Sequence, residues 1–481
     1  MKKKLIAHNI IIIFTILLPL LYTILRAIQI PFSHDESLSF NLYENSSLWG
    51  IITLSPPSSN NHVINTLLMQ LFSSILGNSE FVLRLGVIIA HLFYNIYLYK
   101  IARLLKLDLL FTIVLILLSN ANPYLLQFFS VARGYGIAIA FMIVTLYYFL
   151  KTYLTGNKRF AVHTYIFAFL MVYSHFSFLY VWFSLIIVDI VLWYLKEKPV
   201  KLRKLLIDYK IKGFIIGLSA ILFYFPIETI VEINEIKSRM INGLWNETVI
   251  SFIRTFIDDP SSLWFKLSKL MLISLLTLIC LTSIQKVINH QNKKINHLTF
   301  ALFLLLVLPA LFSYLNFLIM DAEFLVYRKT IFFYPLLIVN LILLFLPKVT
   351  DPNNRIYKYV VFIIGILLVS NTLIKINLTY ISPWLYDAAN KKFIQDIINL
   401  RGEKEGVRVG ITWYFEPALN YYRETKNLTW LNEFQRHADE KPYDYYYFQE
   451  DYYYTFEIDP DTLEIIKRYP VSNTFLAKPL N

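Results

Sequence analysis

Charged residues and cysteine are both scarce in this chain of 481 residues. Only 16% of the residues are charged and 57% are hydrophobic, whereas a soluble globular chain carries about 25% charged residues. One soluble core cannot hold this much apolar surface, so much of it must face lipid. The single cysteine, Cys280, lies in an apolar run. This excludes a disulfide within the chain and a cysteine-based zinc site.

The net charge of +12 does not indicate a nucleic-acid-binding protein. Lys and Arg occur in short clusters between apolar segments, which is typical of cytoplasmic loops, and no basic patch is large enough to follow a phosphate backbone. Repeated apolar runs approach the roughly 20 residues that cross a bilayer. They predict about eleven transmembrane helices, near 5–26, 82–100, 108–120, 132–151, 160–174, 176–195, 212–228, 265–285, 298–319, 328–347 and 358–376.

The charge distribution also predicts the orientation. Residues 27–81 contain no Lys or Arg, whereas the loops on the same side as Lys2, Lys3 and Lys4 are basic. Such asymmetry sets the orientation of insertion, so the N-terminus is expected in the cytoplasm. An odd number of spans then places the C-terminus outside. We expect a multi-pass protein of the bacterial inner (plasma) membrane.

Two domains are expected. Residues 1–377 form a transmembrane catalytic module with extracytoplasmic loops at 27–81 and 228–264. From 378 to 481 the composition becomes polar and Tyr-rich, which predicts a soluble extracytoplasmic α/β domain. The predicted fold class is thus an all-α polytopic membrane protein with a small C-terminal α/β domain.

Local patterns refine this division. Apolar residues at helical spacing predict an amphipathic helix over 62–76 in the first loop. In the C-terminal domain, helices are predicted over 388–400 and 416–424. Strands are predicted over 407–412 and 443–448.

Two adjacent carboxylates, Asp35 and Glu36, follow the first predicted span. Ionised groups at a membrane boundary are costly unless they are used or paired. A carboxylate there can take the proton from an acceptor hydroxyl that attacks the anomeric carbon of a sugar. The alternative is a solvated loop acid or a helix N-cap, because Asp35 precedes a Ser-Leu-Ser-Phe segment.

Short motifs then occur in a fixed order. They are Pro31-Phe-Ser-His-Asp-Glu36, Asn61-His-Val-Ile-Asn-Thr-Leu-Leu68, Gly77-Asn-Ser-Glu-Phe-Val-Leu-Arg-Leu85, Val131-Ala-Arg-Gly-Tyr135 and Tyr327-Arg-Lys-Thr-Ile-Phe-Phe-Tyr-Pro335. Together they resemble motifs of the GT-C glycosyltransferases, in the branch of the protein O-mannosyltransferases and aminoarabinose transferases. The resemblance covers about residues 1–350. The chain departs from the family pattern at Val63 and Gly86, where the family has Pro; these departures bear on the substrate more than on the reaction type.

The resemblance implies that Asp35 is the catalytic base and that Glu36 assists it or positions the acceptor. It also implies that Arg84 faces the catalytic loop, where a cation keeps the carboxylates ionised. The alternative for Arg84 is an interface arginine whose charged end reaches towards water.

Arg133 and Arg328 fall at the outer ends of spans, where cations are unfavourable by the positive-inside rule. Arginine binds phosphate through paired, charge-assisted hydrogen bonds, so both are candidate phosphate ligands, with Lys329 sharing the role. The alternative is that they anchor the protein at the interface.

His62 is a candidate for hydrogen bonding to a sugar, or for joining Asp35 and Glu36 around a divalent cation. No tight ligand spacing supports a metal, and the question of a metal stays open. The other candidate substrate-binding residues are His34, Tyr135 and Tyr327, which lie within the motifs. His175 is expected to be structural.

The function that these observations favour is an inverting glycosyltransferase. It would move a sugar from a polyprenyl-phosphate-linked donor to a glycan, lipid or protein outside the cytoplasm. One alternative is a transporter or flippase of lipid-linked saccharides, and another is an anchored scaffold or sensor.

The orientation can be tested with reporter fusions. A reporter after Asn481 should read as extracytoplasmic and one placed at Lys201 as cytoplasmic, because the basic loops stay inside. Paired alkaline phosphatase and fluorescent protein fusions at each position would measure this. A cytoplasmic signal from the C-terminal fusion would contradict the odd number of spans.

Overall fold

The computed structural model describes residues 2–196, 202–233, 243–288, 293–349, 355–436, 442–449 and 462–480. Within them, residues 2–374 contain seventeen α-helices. These are α1 Lys2–Gln29, α2 His34–Tyr43, α3 Leu48–Ile52, α4 Val63–Leu76, α5 Glu80–Leu83, α6 Leu85–Leu104, α7 Leu109–Asn120, α8 Pro123–Phe128, α9 Gly134–Thr155, α10 Arg159–Ser174, α11 Leu179–Lys196, α12 Leu202–Glu232, α13 Ile250–Arg254, α14 Leu263–Ile288, α15 Lys293–Met320, α16 Phe333–Val349 and α17 Arg355–Ile374.

Each predicted span has a helix over it, and the described residues contain seven helices long and apolar enough to cross a membrane. Outward-facing apolar side chains support a location in the membrane, since Phe14 is 70% exposed, Leu18 66% and Phe214 71%. Such surfaces are not stable in water. The chain is therefore an integral multi-pass membrane protein, whereas the count of eleven spans stays a prediction. The predicted loop segments 197–201, 234–242, 289–292 and 350–354 lie outside the described residues.

The centre of the bundle is formed by α6, α9 and α10, which pack side by side. Helix α9 is buried along most of its length. Close packing at its first turn requires glycine: a Cβ on Gly134 would lie 1.8 Å from the carbonyl oxygen of Ser174 and 2.8 Å from Cβ of His62. The start of α9 is thereby held against the first loop and the end of α10.

The first loop folds into α2, α3, α4 and α5. The predicted helix over 62–76 is confirmed as α4, with Val63, Thr66 and Met69 buried and Leu71 and Ile75 exposed. It packs against α6, α9 and α10. The loop is therefore an ordered part of the bundle end and not a plain connector.

The C-terminal region is a small α/β unit. It contains helices α18 Asn390–Leu400 and α19 Glu416–Thr425, and strands β1 Val409–Ile411, β2 Tyr445–Gln449, β3 Leu463–Tyr469 and β4 Thr474–Pro479. The sheet order is β1-β2-β4-β3, with β1 and β2 parallel and the other pairs antiparallel. The predicted helices and first two strands are confirmed, whereas β3 and β4 were not predicted. Residues 437–441 and 450–461 of this region lie outside the described residues.

The close contact at Gly134 predicts a stability change. A methyl group there meets backbone that cannot move aside. Gly134→Ala should therefore lower the free energy of unfolding by about 1–3 kcal/mol, as overpacking does. Gly213→Ala is the control, because a Cβ on Gly213 meets nothing within 4 Å. Thermal unfolding of the detergent-solubilised variants measures the difference. Equal melting temperatures would contradict the close packing.

Candidate active site

The first element of the site is a buried ion pair between Glu36 and Arg84. Arg84 Nε donates to Glu36 Oε1 at 2.8 Å and Nη2 to Oε2 at 2.7 Å, and both side chains are 0% exposed. The remaining guanidinium donors bond the carbonyl oxygens of Ala27, Ile30 and Pro31, each at 2.9 Å. The pair thus joins the end of α1, the start of α2 and the start of α6.

Glu36 also serves the local structure of α2. Its Oε2 accepts the Ser33 N–H at 3.0 Å and the Ser33 hydroxyl at 2.9 Å, which is a capping box written in the sequence as Ser33-His-Asp-Glu36. Its Oε1 accepts the backbone N–H of Ala132 at 2.6 Å. Both oxygens are fully engaged within the protein.

Glu36 is not accessible to assist an acceptor, because its side chain is buried in the interior. Arg84 is buried too, which leaves it closed to a substrate, but it bonds a carboxylate of the first loop as expected. A carboxylate with saturated acceptors and a bidentate cation is held in one position. We therefore assign both residues a structural, positioning role.

Asp35, the neighbour of Glu36, faces a different environment. Its side chain is 13% exposed, and Oδ2 lies 3.3 Å from Arg133 Nη2 and 3.2 Å from Arg328 Nη1. Burial raises the pKa of Asp35, but the charges of Arg133 and Arg328 outweigh it and hold the pKa below its ordinary value. An ionised, partly accessible carboxylate is what a proton acceptor requires.

Arg133 makes its hydrogen bonds within the protein. It is 2% exposed, and Nη1 donates to the Asp35 carbonyl oxygen at 3.1 Å and to Ser39 Oγ at 3.0 Å. It also bonds Asn60, at the carbonyl oxygen (3.1 Å) and at Oδ1 (2.6 Å). Its Nε is buried and has no partner within the part of the chain that the structure describes. Arg133 therefore ties Asp35 to the loop before α4 and has little surface to offer a ligand.

Arg328 is the accessible cation beside Asp35. Its side chain is 36% exposed, and its guanidinium lies over the rings of Tyr135, at 6.0 Å, and Trp384, at 5.3 Å. Burial lowers the pKa of Arg328, but Tyr135 and Asp35 more than offset this and raise it. Within the described residues it makes one hydrogen bond, to Asp35, so most of its five N–H donors are available to an anion.

A cluster of rings adjoins the two arginines. The His62 and His175 rings lie 4.6 Å apart, and Tyr135 lies 5.5 Å from His62 and 3.9 Å from His175. Burial, followed by the charge of Arg133, lowers the pKa of both histidines well below the ordinary value, so both are neutral. His175 Nδ1 accepts the Ser177 N–H at 3.1 Å, whereas His62 Nε2 is buried and has no partner among the described residues. Of these two nitrogens, His62 Nε2 is thus the one without a protein hydrogen bond.

The other predicted residues lie at the margin. Tyr327 is 43% exposed, and its hydroxyl accepts a hydrogen bond from Arg254 at 2.7 Å. Lys329 forms an ion pair with Glu323. His34 is half-buried, and its Nδ1 donates to the Tyr414 carbonyl oxygen at 2.6 Å. None of these three contacts involves the Asp35 carboxylate.

Three residues of the site were missed. Asn60 directly precedes the motif that begins at Asn61, in a loop without Lys or Arg. These two features could have identified it as a candidate. Trp384 and Asp387 come from the C-terminal region, and no motif marks them. The contact of Asp387 with His34 of the first loop joins positions 353 residues apart, which no local pattern encodes.

The question of a divalent cation stays open. Among the described residues there is no group of three or more His, Cys, Asp or Glu side chains that could hold a metal ion. Asp35 is occupied by two cations and Glu36 by Arg84. Together, fold and site define an integral membrane protein in which a partly accessible acid lies between two arginines at one end of the helix bundle.

Comparisons with known proteins give little at the level of sequence. No family model matches the chain, and no curated protein matches it significantly. Among solved structures it is similar to ArnT from Cupriavidus metallidurans bound to undecaprenyl phosphate, with 10% identity, a TM-score of 0.46 and 97% of each chain covered. It is also similar to the oligosaccharyltransferase of Archaeoglobus fulgidus in complex with zinc and sulfate, with 13% identity, a TM-score of 0.43, and 85% of this chain and 61% of that chain covered. Because these scores are low, the function proposed below rests on the motifs and the site geometry.

The buried ion pair predicts a large stability change. Arg84→Met leaves the Glu36 carboxylate buried and unpaired, which should cost about 3–5 kcal/mol. The control is Lys391→Met, because Lys391 pairs with Glu80 near the surface and such pairs contribute about 0–1 kcal/mol. Thermal unfolding in detergent compares the two. Similar losses in both variants would contradict the structural role of the buried pair.

Proposed function

We propose that this protein is an inverting glycosyltransferase of the GT-C type. It moves a sugar from a polyprenyl-phosphate-linked donor to an extracytoplasmic acceptor, which is a glycan, a lipid or a protein. One observation carries the proposal: Oδ2 of Asp35 contacts Arg133 at 3.3 Å and Arg328 at 3.2 Å, and Arg328 is still 36% exposed. A base and an anion-binding group therefore stand side by side.

The reaction follows from these two groups. Asp35 takes the proton of an acceptor hydroxyl as its oxygen forms a bond to the anomeric carbon of the sugar. The bond from that carbon to the phosphate oxygen breaks, and its electron pair leaves with the polyprenyl phosphate. Because the phosphate leaves already ionised, no general acid is required. Arg328 stabilises the charge that develops on the phosphate.

The remaining residues have supporting roles. We assign Arg133 to holding Asp35, and Glu36 and Arg84 to holding α2. His62, with its unpartnered buried Nε2, is the candidate contact for a sugar hydroxyl. Tyr135 forms the apolar wall beside it, since its ring packs on His62 and lies under Arg328. His34, Tyr327 and Lys329 stay proposals for the rim of the site.

A transporter or flippase of lipid-linked saccharides is the alternative, and one ion pair favours it. Lys212 of α12 lies 2.6 Å from Asp189 of α11, and both belong to helices apolar enough to span a membrane. Ionisable residues inside spans often mark transport pathways. Asp189→Asn separates the two functions, since it should impair a translocase and leave sugar transfer unchanged.

The roles of Asp35 and Arg328 predict opposite kinetic effects. Asp35→Asn should lower kcat by roughly two to four decades, as the loss of a general base does. Arg328→Ala should instead raise the KM for the donor more than it lowers kcat, because it removes a phosphate contact. Transfer of sugar from a radiolabelled polyprenyl-phosphate donor measures both.

Two control variants accompany this measurement. Asp108→Asn changes the aspartate that caps the start of α7, and Arg401→Ala removes an arginine paired with Glu405 in the C-terminal region. Both should retain wild-type kinetics. Full activity of Asp35→Asn would remove Asp35 from the mechanism, and an unchanged donor KM in Arg328→Ala would remove Arg328 from donor binding.

The pH dependence gives an independent test. Because Arg133 and Arg328 hold the pKa of Asp35 below its ordinary value, the active carboxylate form persists as pH falls and is lost only below the lowered pKa. Replacing Arg328 with Gln removes one cation, so the acid limb of kcat/KM should move to higher pH. An acid limb at the wild-type position would show that Arg328 does not act on the catalytic base.

A further inference from the structure

The helix that carries Asp35 is held by the C-terminal region. The Phe32 N–H donates to the Tyr422 hydroxyl at 2.8 Å, and the His34 N–H donates to Asp387 Oδ2 at 2.7 Å. Further along α2, Asn41 Nδ2 donates to the Pro417 carbonyl oxygen at 3.2 Å. These bonds reach α2 before its first turn, at its first residue and near its end.

The contact with Asp387 is the most specific of them. Asp387 is 3% exposed and lies in the 3-10 segment Ser382–Ala389. Its Oδ1 accepts from Asn390 Nδ2 at 2.8 Å, and Asn390 Oδ1 accepts from the Tyr447 hydroxyl at 3.1 Å. Tyr447 is a fully buried residue of β2. A chain of buried hydrogen bonds thus runs from the centre of the sheet to the backbone of His34.

The position of the Asp387 side chain has a physical reason. The first N–H groups of a helix have no partner within the helix, so a hydrogen-bond acceptor placed beside them is favourable. The capping box of Ser33 and Glu36 satisfies other groups at this end of α2. Asp387 supplies the acceptor for the N–H of His34 from a distant part of the chain, and the next residue is Asp35.

The same segment also contacts the second half of the site. Trp384 is 3% exposed, and its ring lies 5.3 Å from the guanidinium of Arg328. Its side chain also lies close enough to Asp35 to help to lower the pKa of that carboxylate. Segment Ser382–Ala389 therefore lies beside both the base and the cation.

We propose that Asp387 is a positioning residue for Asp35, and that the C-terminal domain is part of the catalytic unit through segment Ser382–Ala389. The catalytic half of this inference rests on the proposed function. Asp387 does not touch the reacting atoms; it holds the first residue of α2, so that the Asp35 carboxylate stays beside Arg328. A misplacement of about 1 Å at a reacting group can cost about a hundredfold in rate.

Three variants test the proposal. Asp387→Ala removes the acceptor of the His34 N–H and should lower kcat by about 10- to 100-fold, with the donor KM changed by less than about threefold because Arg328 is untouched. Asp387→Asn keeps an oxygen that can accept this bond and should restore most of the activity. The matched control is Asp396→Ala, which removes a carboxylate bound to Lys467 and Tyr469 in the same region, and it should keep wild-type kinetics.

A second readout does not depend on activity. Hydrogen–deuterium exchange of the peptide covering residues 31–43 should rise in Asp387→Ala and stay at the wild-type level in Asp387→Asn and Asp396→Ala. Unchanged exchange in Asp387→Ala would overturn the proposal whatever the activity. So would wild-type kcat in Asp387→Ala, or a loss in Asp387→Ala that Asp387→Asn does not restore.

The two proposals fail in different ways. If wild-type protein transfers no sugar from any polyprenyl-phosphate donor, the proposed function fails. A rise in exchange confined to Asp387→Ala would then still show that the C-terminal region holds α2. If wild-type protein is active but Asp387→Ala raises only the donor KM, the positioning role of Asp387 fails and the proposed function stands.

Discussion

The buried ion pair of Glu36 and Arg84 is the constraint on which the candidate site depends. It joins three separate pieces of backbone, because Arg84 bonds carbonyl groups at the end of α1 and Glu36 bonds Ser33 and Ala132. Two buried charges without a partner would be far too costly, so each side chain holds the other in one position. The loops that contact the ion pair are therefore held in place as well.

The adjacent acids Glu36 and Asp35 lie in opposite environments. Glu36 points inward and has all its acceptors filled, whereas Asp35 points to the side where Arg133 and Arg328 lie. The Glu36 carboxylate is buried, whereas the Asp35 carboxylate is ionised and partly accessible. Environment, and not residue type, separates a structural acid from a reactive one.

The site is assembled from distant parts of the chain. Residues of the first loop, the start of α9, the segment at Tyr327–Thr330 and the C-terminal region all meet within a few ångströms. Only a folded helix bundle closes such large loops, and ordering them costs conformational entropy. Buried contacts such as the packing of Gly134 on Ser174 supply favourable packing energy that offsets this cost.

The sequence by itself determined the membrane class, the helices over the predicted spans and the set of charged residues at the bundle end. It did so because lipid demands long apolar runs, and because charges at its boundary are few enough to notice. Only the tertiary structure decided that Asp35 and not Glu36 is exposed, that Arg133 is committed while Arg328 is free to bind, and that Asp387 holds α2. The reason is physical: a pKa or a hydrogen bond depends on which groups lie within a few ångströms, and the partners of Asp35 and His34 lie up to 353 positions away.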